Sequence, residues 1–282
     1  MLETPLTFEA KTAGAKVTFI ANDDAIEKTV EYSTDGGTTW TSKSTNNTAG
    51  GISVTLTNAG DKVMFRGTNT TYSDIFNHNS FSCTADCYVY GNVMSLINKD
   101  NFATNTTLEA QGTFYYLFKD NTKIYNHDKN TLELPATTLQ DACYKNMFKC
   151  CTNLTKAPNL PATDLANNCY ESMFESCYAL TSTQEELPAT TLQQYCYASM
   201  FKGCSALTKA PKLPAPSLAG YCYQSMFDGC TNLNEAWVKA AYEDGSMQCA
   251  YMFSNCTTAG TLHTDGTNWT GHCGSLTPSN PY

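Results

Sequence analysis

The sequence predicts an α+β chain in which a small β-sandwich precedes a solenoid of strand-and-helix repeats, which ends in a β cap. The pair Met-Phe recurs five times, and the five Phe residues lie 26, 27, 26 and 26 positions apart. Before residue 80, apolar and polar residues alternate in short runs between Gly, Asn and Asp turn signals. Apolar residues make up 41% of the chain and aromatic residues 12%, which is enough for a packed core.

Each repeat predicts one helix and one short strand. A cysteine follows each Phe by three positions, and a second cysteine precedes the first four Phe residues by five. In the first unit, Cys143, Met147 and Cys151 have the spacing i, i+4, i+8 of one helical face. Leu154 then begins a short extended segment that Pro158 ends. One strand plus one helix per 26–27 residues is the leucine-rich-repeat pattern, and such units bury their apolar faces by stacking.

These patterns divide the chain into four parts. Residues 1–80 form the predicted Ig-like β-sandwich, 81–130 a connector with a degenerate entry coil, 131–256 the solenoid, and 257–282 the β cap. In the entry coil, Phe118 takes the position of the repeated Phe and Asn121 that of the following cysteine. The cap is predicted from a DG turn, Trp269 and the closing prolines.

The repeat also explains the 14 cysteines, because a residue at one phase of a solenoid takes the same interior position in every coil. We expect the repeat cysteines to be structural, buried free thiols, with disulfides between coils as the alternative. Five equivalent cysteines do not suggest a catalytic nucleophile. The structural set is Cys143, Cys151, Cys169, Cys177, Cys196, Cys204, Cys222, Cys230 and Cys256.

The remaining cysteines are Cys83, Cys87, Cys150, Cys249 and Cys273, whose thiol or disulfide state the sequence leaves open. No CxxC pair stands at zinc-ligand spacing from a second Cys or His pair, so we expect no metal site. Cys83 and Cys87, with His78 nearby, form the one loose cluster, interpreted as structural with metal binding as the alternative.

A turn motif lies in the predicted sandwich. Ser33, Asp35, Gly37, Thr39 and Trp40 match the Asp-box pattern S-x-D-x-G-x-T-W, which resembles turns of sialidase propellers. The alternatives are a glycosidase and a stable turn in which Asp35 caps amides and Trp40 packs beneath. We favour the turn, because the motif occurs once and the arginines of that family are missing: Arg66 is the single arginine.

Composition excludes several function classes. The net charge is −9 and 16 of the 17 basic residues are lysines, so the basic, Arg-rich footprint of a nucleic-acid reader is missing. No apolar run reaches the length of a transmembrane segment, and the N-terminus does not resemble a signal peptide. No Ser-His-Asp order or paired-carboxylate motif stands out, so we expect no enzyme, no catalytic residue and no cofactor. The four histidines are scattered: His78, His127, His263 and His272.

The expected ligand surface is the strand face of the solenoid. If the leucine that begins each strand points inward, the residues after it form outward ladders. A Thr/Asn ladder can hydrogen-bond glycans or protein backbone, and a face that is simply solvated is the alternative. The ladder residues are Thr155, Lys156, Thr181, Ser182, Thr208, Lys209, Asn234 and Glu235.

The repeat text LPATTL…CYxxMFxxCTxLTKAP resembles the BspA-like leucine-rich-repeat proteins of gut and oral anaerobes. The segments EYSTDGGTTW, GDKVMFRGTN and TADCYVYGNVMSLI resemble the domain ahead of those repeats, and TDGTNWTGHCGSLTP resembles their tail without its GIP…GW ending. The resemblance spans nearly the whole chain. It implies a non-catalytic surface protein, in some members an adhesin for host matrix proteins, usually with an export signal or lipid anchor.

Two functions follow as expectations. The first is a surface-displayed adhesion protein that binds a protein or glycan on a host or bacterial surface, which is extracellular if a leader has been removed. Similar repeats also occur in tail and surface proteins of phages that infect these bacteria, which need no leader. The second is therefore a virion structural protein, such as a tail fibre, tip or capsid decoration. Homo-oligomer formation, ligand identity and the binding face stay open.

Overall fold

The computed structural model describes residues 3–21, 27–45, 51–73, 78–243 and 247–282. Within these ranges the chain is nearly all β, with 29% of residues in strands and 2% helical. The helical residues are the single 3-10 turn Val93–Leu96. The strands are β1 (Leu6–Ala10), β2 (Ala15–Ala21), β3 (Lys28–Ser33), β4 (Thr41–Thr45), β5 (Ile52–Leu56), β6 (Lys62–Gly67), β7 (Asn79–Cys83), β8 (Cys87–Asn92), β9 (Ile124–Asn126), β10 (Leu132–Glu133), β11 (Lys209–Leu213), β12 (Glu235–Val238), β13 (Gly260–His263) and β14 (Leu276–Ser279).

The N-terminal strands form two packed sheets. One has the order β10-β8-β1-β6-β3-β4, with β9 also paired to β8, and the other has the order β5-β2-β7. Alternate residues point into the space between the sheets, where Phe8, Phe19, Phe65 and Phe81 are fully buried. The ring of Phe81 lies 5.1 Å from Phe8, 4.6 Å from Phe19 and 4.9 Å from Phe65. The sandwich therefore includes β7 and β8, whose strands run to Asn92.

The predicted helix in each repeat is wrong. In place of helices, the described coils contain ribbons of overlapping turns, as the first repeat shows. The amides of Cys143, Lys145 and Met147 donate to the carbonyls three residues earlier. The amides between them donate to the next coil, as Tyr144 does to Cys169 at 3.0 Å. An α-helix would instead pair every amide with the carbonyl four residues earlier.

Every fourth residue of the ribbon has a left-handed backbone conformation. Ala142, Asn146 and Cys150 have φ of 55°, 56° and 62°, and the same phase recurs in the following coils. A positive φ at the third position of a turn reverses the chain there and frees the alternate amides to reach the next coil. Side chains at i, i+4 and i+8 face inward in this ribbon, as they would on a helix. Their spacing in the sequence therefore does not distinguish an α-helix from a turn ribbon.

Stacking between coils builds the core. The repeated Phe residues, from Phe118 to Phe253, stack with ring centroids 5.2–5.7 Å apart. A second ladder runs from Phe114 through the buried tyrosines to Tyr223 at 5.7–6.1 Å. Offset and parallel aromatic contacts of this kind add to the free energy gained from burying the rings. The interior is thus made of ring ladders that are continuous from coil to coil.

Each end of the stack is covered by a different structure. At the entry, the amides of Tyr72 and Phe81 donate to the carbonyls of Thr113 and Leu117, both at distances of 2.8–2.9 Å. At the exit, the buried Trp269 ring meets Phe253 edge-on at 5.9 Å. No helix long and apolar enough to cross a membrane occurs in the described residues.

Candidate functional site

The strands of successive coils lie side by side and in parallel, so that their outward side chains share one face. β8 pairs with β9, Lys156 pairs with Ser182, and β11 to β14 pair in sequence order. Because the side chains of a strand alternate, this strand face collects one residue set from every coil. The outward face of β8 belongs both to the sandwich and to the strand face, so one surface runs along the molecule.

Of the predicted ladder residues, Lys156, Ser182, Lys209 and Glu235 stand at paired strand positions, and each is preceded directly by one of the others, which are Thr155, Thr181, Thr208 and Asn234. All eight are exposed or half-exposed. The structure pairs Lys156 with Ser182 and Lys209 with Glu235. Part of the hydroxyl ladder serves the fold, because Thr181 Oγ1 donates to the carbonyl of Thr155 at 3.2 Å. The hydroxyls are therefore less available to a ligand than the sequence suggested. The charged positions of the ladder extend into solvent.

A cleft of about 510 Å³ opens on the strand face beside Thr155 and Lys156. Both β9 and β10 pair with β8, so the chain between them, residues 127–131, leaves the sheet as a loop and forms one wall. Residues 155–161 form the other wall, and among the described residues no backbone hydrogen bond joins 132–135 to 157–161. The lining residues are Val89, Asn126, His127, Asp128, Asn130, Thr131, Leu132, Glu133, Leu134, Pro135, Thr155, Lys156, Ala157, Pro158, Asn159 and Pro161.

The cleft combines an apolar floor with a polar rim. Leu134 and Ala157 are 2% and 4% exposed and lie at the bottom, with prolines on both walls. Asp128, Asn130 and Lys156 are exposed at the rim. Binding sites for small ligands and short polymer segments share this composition of apolar contact area and a few polar groups. This arrangement can hold a ligand.

The Asn126 side chain fixes the wall that contains Lys156. Its Oδ1 accepts the amides of Thr155 and Lys156 at 2.8 and 2.9 Å, and its Nδ2 donates to the carbonyl of Lys156 at 2.9 Å. In the next coil the backbone carbonyl of Thr155 accepts the two equivalent amides, those of Thr181 and Ser182. Asn126 thus replaces a backbone carbonyl at the junction of the sandwich with the stack.

An aromatic and charged cluster adjoins the cleft. The His127 ring lies 5.0 Å from Tyr88 and 5.1 Å from Tyr90, both edge-on. Lys11 Nζ lies 3.5 Å from the ring centroid of Tyr125 and 5.1 Å from that of Tyr88. Glu9 accepts a hydrogen bond from the Tyr90 hydroxyl at 3.0 Å, which contributes, after burial, to raising the Tyr90 pKa.

The sequence analysis did not single out this cluster. Its members alternate along β8 and β9, as Tyr88 and Tyr90 do in CYVY and Tyr125 and His127 do in IYNH. That alternation was an available signal, because aromatic residues at period two lie on one face of a sheet. Their proximity to Glu9 and Lys11 depends on the pairing of β1 with β8, which the sequence alone did not give.

A second cluster lies at the other end of the strand face. The Trp237 and His263 rings stack at 4.8 Å, and Lys209 Nζ lies 4.5 Å from the Trp237 ring. Glu235 stands between them, 3.8 Å from Lys209 and 3.5 Å from His263. These four residues lie on the adjacent parallel strands β11, β12 and β13, so their contact follows directly from the stacking register.

The nine cysteines predicted to be structural are all buried free thiols in the structure. In five coils the thiol after Phe donates to the carbonyl of the preceding coil's Phe at 3.0–3.2 Å. Asn121 Nδ2 makes the equivalent bond to Phe81 at 3.0 Å. Burial raises the pKa of Cys143 and of Cys196 to about 12, so these thiols stay protonated at neutral pH.

Cys83 and Cys87 lie at the two ends of the connection that leads from β7 in one sheet to β8 in the other. The hydrogen bond from the Cys83 thiol lowers the pKa of Cys87 and raises that of Cys83. Asn121 Nδ2 also lies 3.6 Å from Cys83 Sγ. His78 packs its ring on Tyr116 at 4.6 Å, and no group of three or more metal-ligating side chains occurs among the described residues.

The Asp-box residues form a local turn. Asp35 accepts hydrogen bonds from the Thr39 hydroxyl at 2.6 Å and from the Thr39 amide at 2.9 Å. These bonds, with one from Ser33, lower the pKa of Asp35 to about 2, so it is no proton donor at neutral pH. Trp40 Nε1 donates to the carbonyl of Gly37, and the Arg66 guanidinium lies 3.9 Å from the Trp40 ring.

No family model, curated protein or solved structure matches the chain.

Proposed function

We propose that this chain is a non-catalytic binding protein, displayed on a surface, whose strand face recognises a protein or glycan ligand at the cleft beside Lys156. The cleft carries the proposal, because it is a preformed concavity on the face where half-buried aromatic and charged side chains collect. The resemblance to BspA-like surface proteins suggests the same class of function.

The chemistry of the cleft favours recognition over reaction. Its polar groups are amides, carboxylates, two threonine hydroxyls, one ammonium and one imidazole around apolar walls. Amide and carboxylate groups hydrogen-bond sugar hydroxyls or peptide groups, and tyrosine edges supply contact area at low entropic cost. The repeat thiols are buried and have raised pKa values, so they offer no nucleophile at this surface.

Screening the full-length protein on arrays of glycans and host matrix proteins tests the proposal. We expect hits that Thr155→Trp weakens by roughly tenfold or more, because the new ring fills the cleft from an exposed position. Lys16→Ala is the matched control: Lys16 is exposed on β2, in the other sheet, and its loss should leave binding unchanged. Arrays without hits, together with a stable symmetric oligomer in solution, would contradict an adhesion function.

A further inference from the structure

We infer that His127 is a pH-dependent latch for the wall of the cleft: its neutral ring holds loop 127–130 closed, and protonation releases the loop. The inference rests on the proposed function, because it describes how the proposed binding site is regulated. The observations behind it are the hydrogen bonds of one ring nitrogen and the position of the loop.

His127 Nδ1 closes the loop by accepting two backbone amides. The amide of Lys129 donates to it at 2.9 Å and the amide of Asn130 at 3.1 Å. The Asn130 side-chain amide lies 3.4 Å from the same nitrogen. These bonds tie the exposed residues Asp128 to Asn130 back to the sheet. His127, Asp128 and Asn130 line the cleft, so the latch shapes its wall.

The acceptor role requires an unprotonated Nδ1. A ring nitrogen accepts a hydrogen bond through its lone pair, and in imidazolium both nitrogens are donors. On protonation, the new N–H of Nδ1 would face the N–H groups of Lys129 and Asn130. Both bonds are then lost and like-signed dipoles oppose each other. The closed loop therefore belongs to the neutral ring, and protonation of Nδ1 favours release of the loop.

The charged groups around the ring favour retaining the imidazolium against the sheet. Glu9 on β1 has a carboxylate oxygen 3.7 Å from Nε2, and Lys62 on β6 contacts the same oxygen at 3.4 Å. On β8, Tyr88 and Tyr90 face the ring edge-on. Lys11 on the β1 side lies over Tyr88 and Tyr125, and the loop itself contributes Asp128 and Lys129. Because Glu9 attracts the positive ring, acidification should move the loop rather than the histidine.

Amide hydrogen exchange of the ligand-free protein, followed residue by residue by NMR, tests the latch. From pH 7.5 to pH 5 we expect the protection factors of the Lys129 and Asn130 amides to fall about tenfold in the wild type. His127→Asn is the matched variant, because a side-chain amide oxygen can accept the same two amides at every pH. Its protection factors should be independent of pH, while those of His127→Ala should be low at both pH values.

The other three histidines are retained in both variants and serve as internal controls for general acid effects. The amides of Thr155 and Lys156, held by Asn126, should keep their protection throughout. Constant protection of Lys129 and Asn130 in the wild type, or an equal loss in His127→Asn, would refute the latch. The experiment uses no ligand, so a negative result would refute the latch and leave the proposed function untouched. Conversely, if no ligand is found for the cleft, the result for the latch still stands.

Discussion

Residues with a left-handed backbone stand at fixed positions in every turn ribbon. Asn, Ser and Gly recur at these positions, as in Asn146, Ser172, Ser199 and Gly203. Gly and Asn adopt positive φ at the lowest cost, and small polar residues follow. A four-residue recurrence of such residues beside Met-Phe was thus a signal for turns. It was outweighed by the apolar spacing, which fits a helix equally well.

Ala142 offers a direct test of this backbone. An L-residue in the left-handed region costs roughly 1–2 kcal/mol. Glycine removes this cost, but it also makes the unfolded chain more flexible, which offsets part of the gain in stability. We expect Ala142→Gly to leave the free energy of unfolding unchanged or to raise it by up to about 1 kcal/mol. Ala198→Gly, in the same ribbon but with ordinary φ, should lower it by about 1 kcal/mol. Urea unfolding measures both, and equal losses at the two positions would support a helix.

Thiol reactivity tests the interior positions of the cysteines. In denaturant all 14 thiols should react with a disulfide reagent, because none is paired in the structure. In the native protein at pH 8 the half-buried Cys150 should react first. The repeat thiols should follow only on unfolding, because burial blocks access and raises their pKa values. Fewer than 14 reactive groups in denaturant would reveal disulfides.

At the scale of elements, part of the fold could be predicted and part could not. Period-two runs such as LTFEA and KVMFR predicted strands that the structure contains as β1 and β6. Repeat spacing predicted aligned side chains, and Phe148 and Phe174 do stack at 5.4 Å with an interplanar angle of 2°. The cleft was not predictable, because loop 127–131 leaves the sheet only where β9 and β10 both pair with β8. That pairing joins segments more than 30 positions apart in sequence.

The aromatic ladder should carry much of the stability of each coil. Phe174 is fully buried between Phe148 and Phe201, at 5.4 and 5.6 Å. Phe174→Ala should therefore cost about 3–5 kcal/mol of the free energy of unfolding, while Phe174→Leu, which keeps more volume, should cost less. Tyr178→Ala in the same coil, where the side chain is 53% exposed, is the control and should cost under about 0.5 kcal/mol.

For the whole molecule, two rings of the entry coil join the sandwich to the coil stack. Phe114 lies 6.3 Å from Tyr72 on the sandwich side and 5.7 Å from Tyr144 in the stack. Phe118 lies 5.9 Å from Phe81 and 6.1 Å from Phe8 in the sandwich, and 5.2 Å from Phe148 in the stack. Backbone bonds from Tyr72 and Phe81 to the entry coil strengthen the same junction. A junction with a shared core predicts that both parts open together on unfolding.

Phe118→Ala should uncouple the two parts. The lost ring leaves a cavity between Phe81 and Phe148, so stability falls by about 3–5 kcal/mol and the sandwich keeps only the Phe114 ring contact with the stack. Native-state hydrogen exchange in rising urea, read by mass spectrometry on peptides from β1 and β6 and on peptides from the turn ribbons, follows each part separately. In the wild type the two peptide sets should open at one free energy, and in Phe118→Ala at two. Separate openings already in the wild type would show that the two parts are not coupled, and a shared opening in the variant would show that Phe114 and the backbone bonds couple them without Phe118.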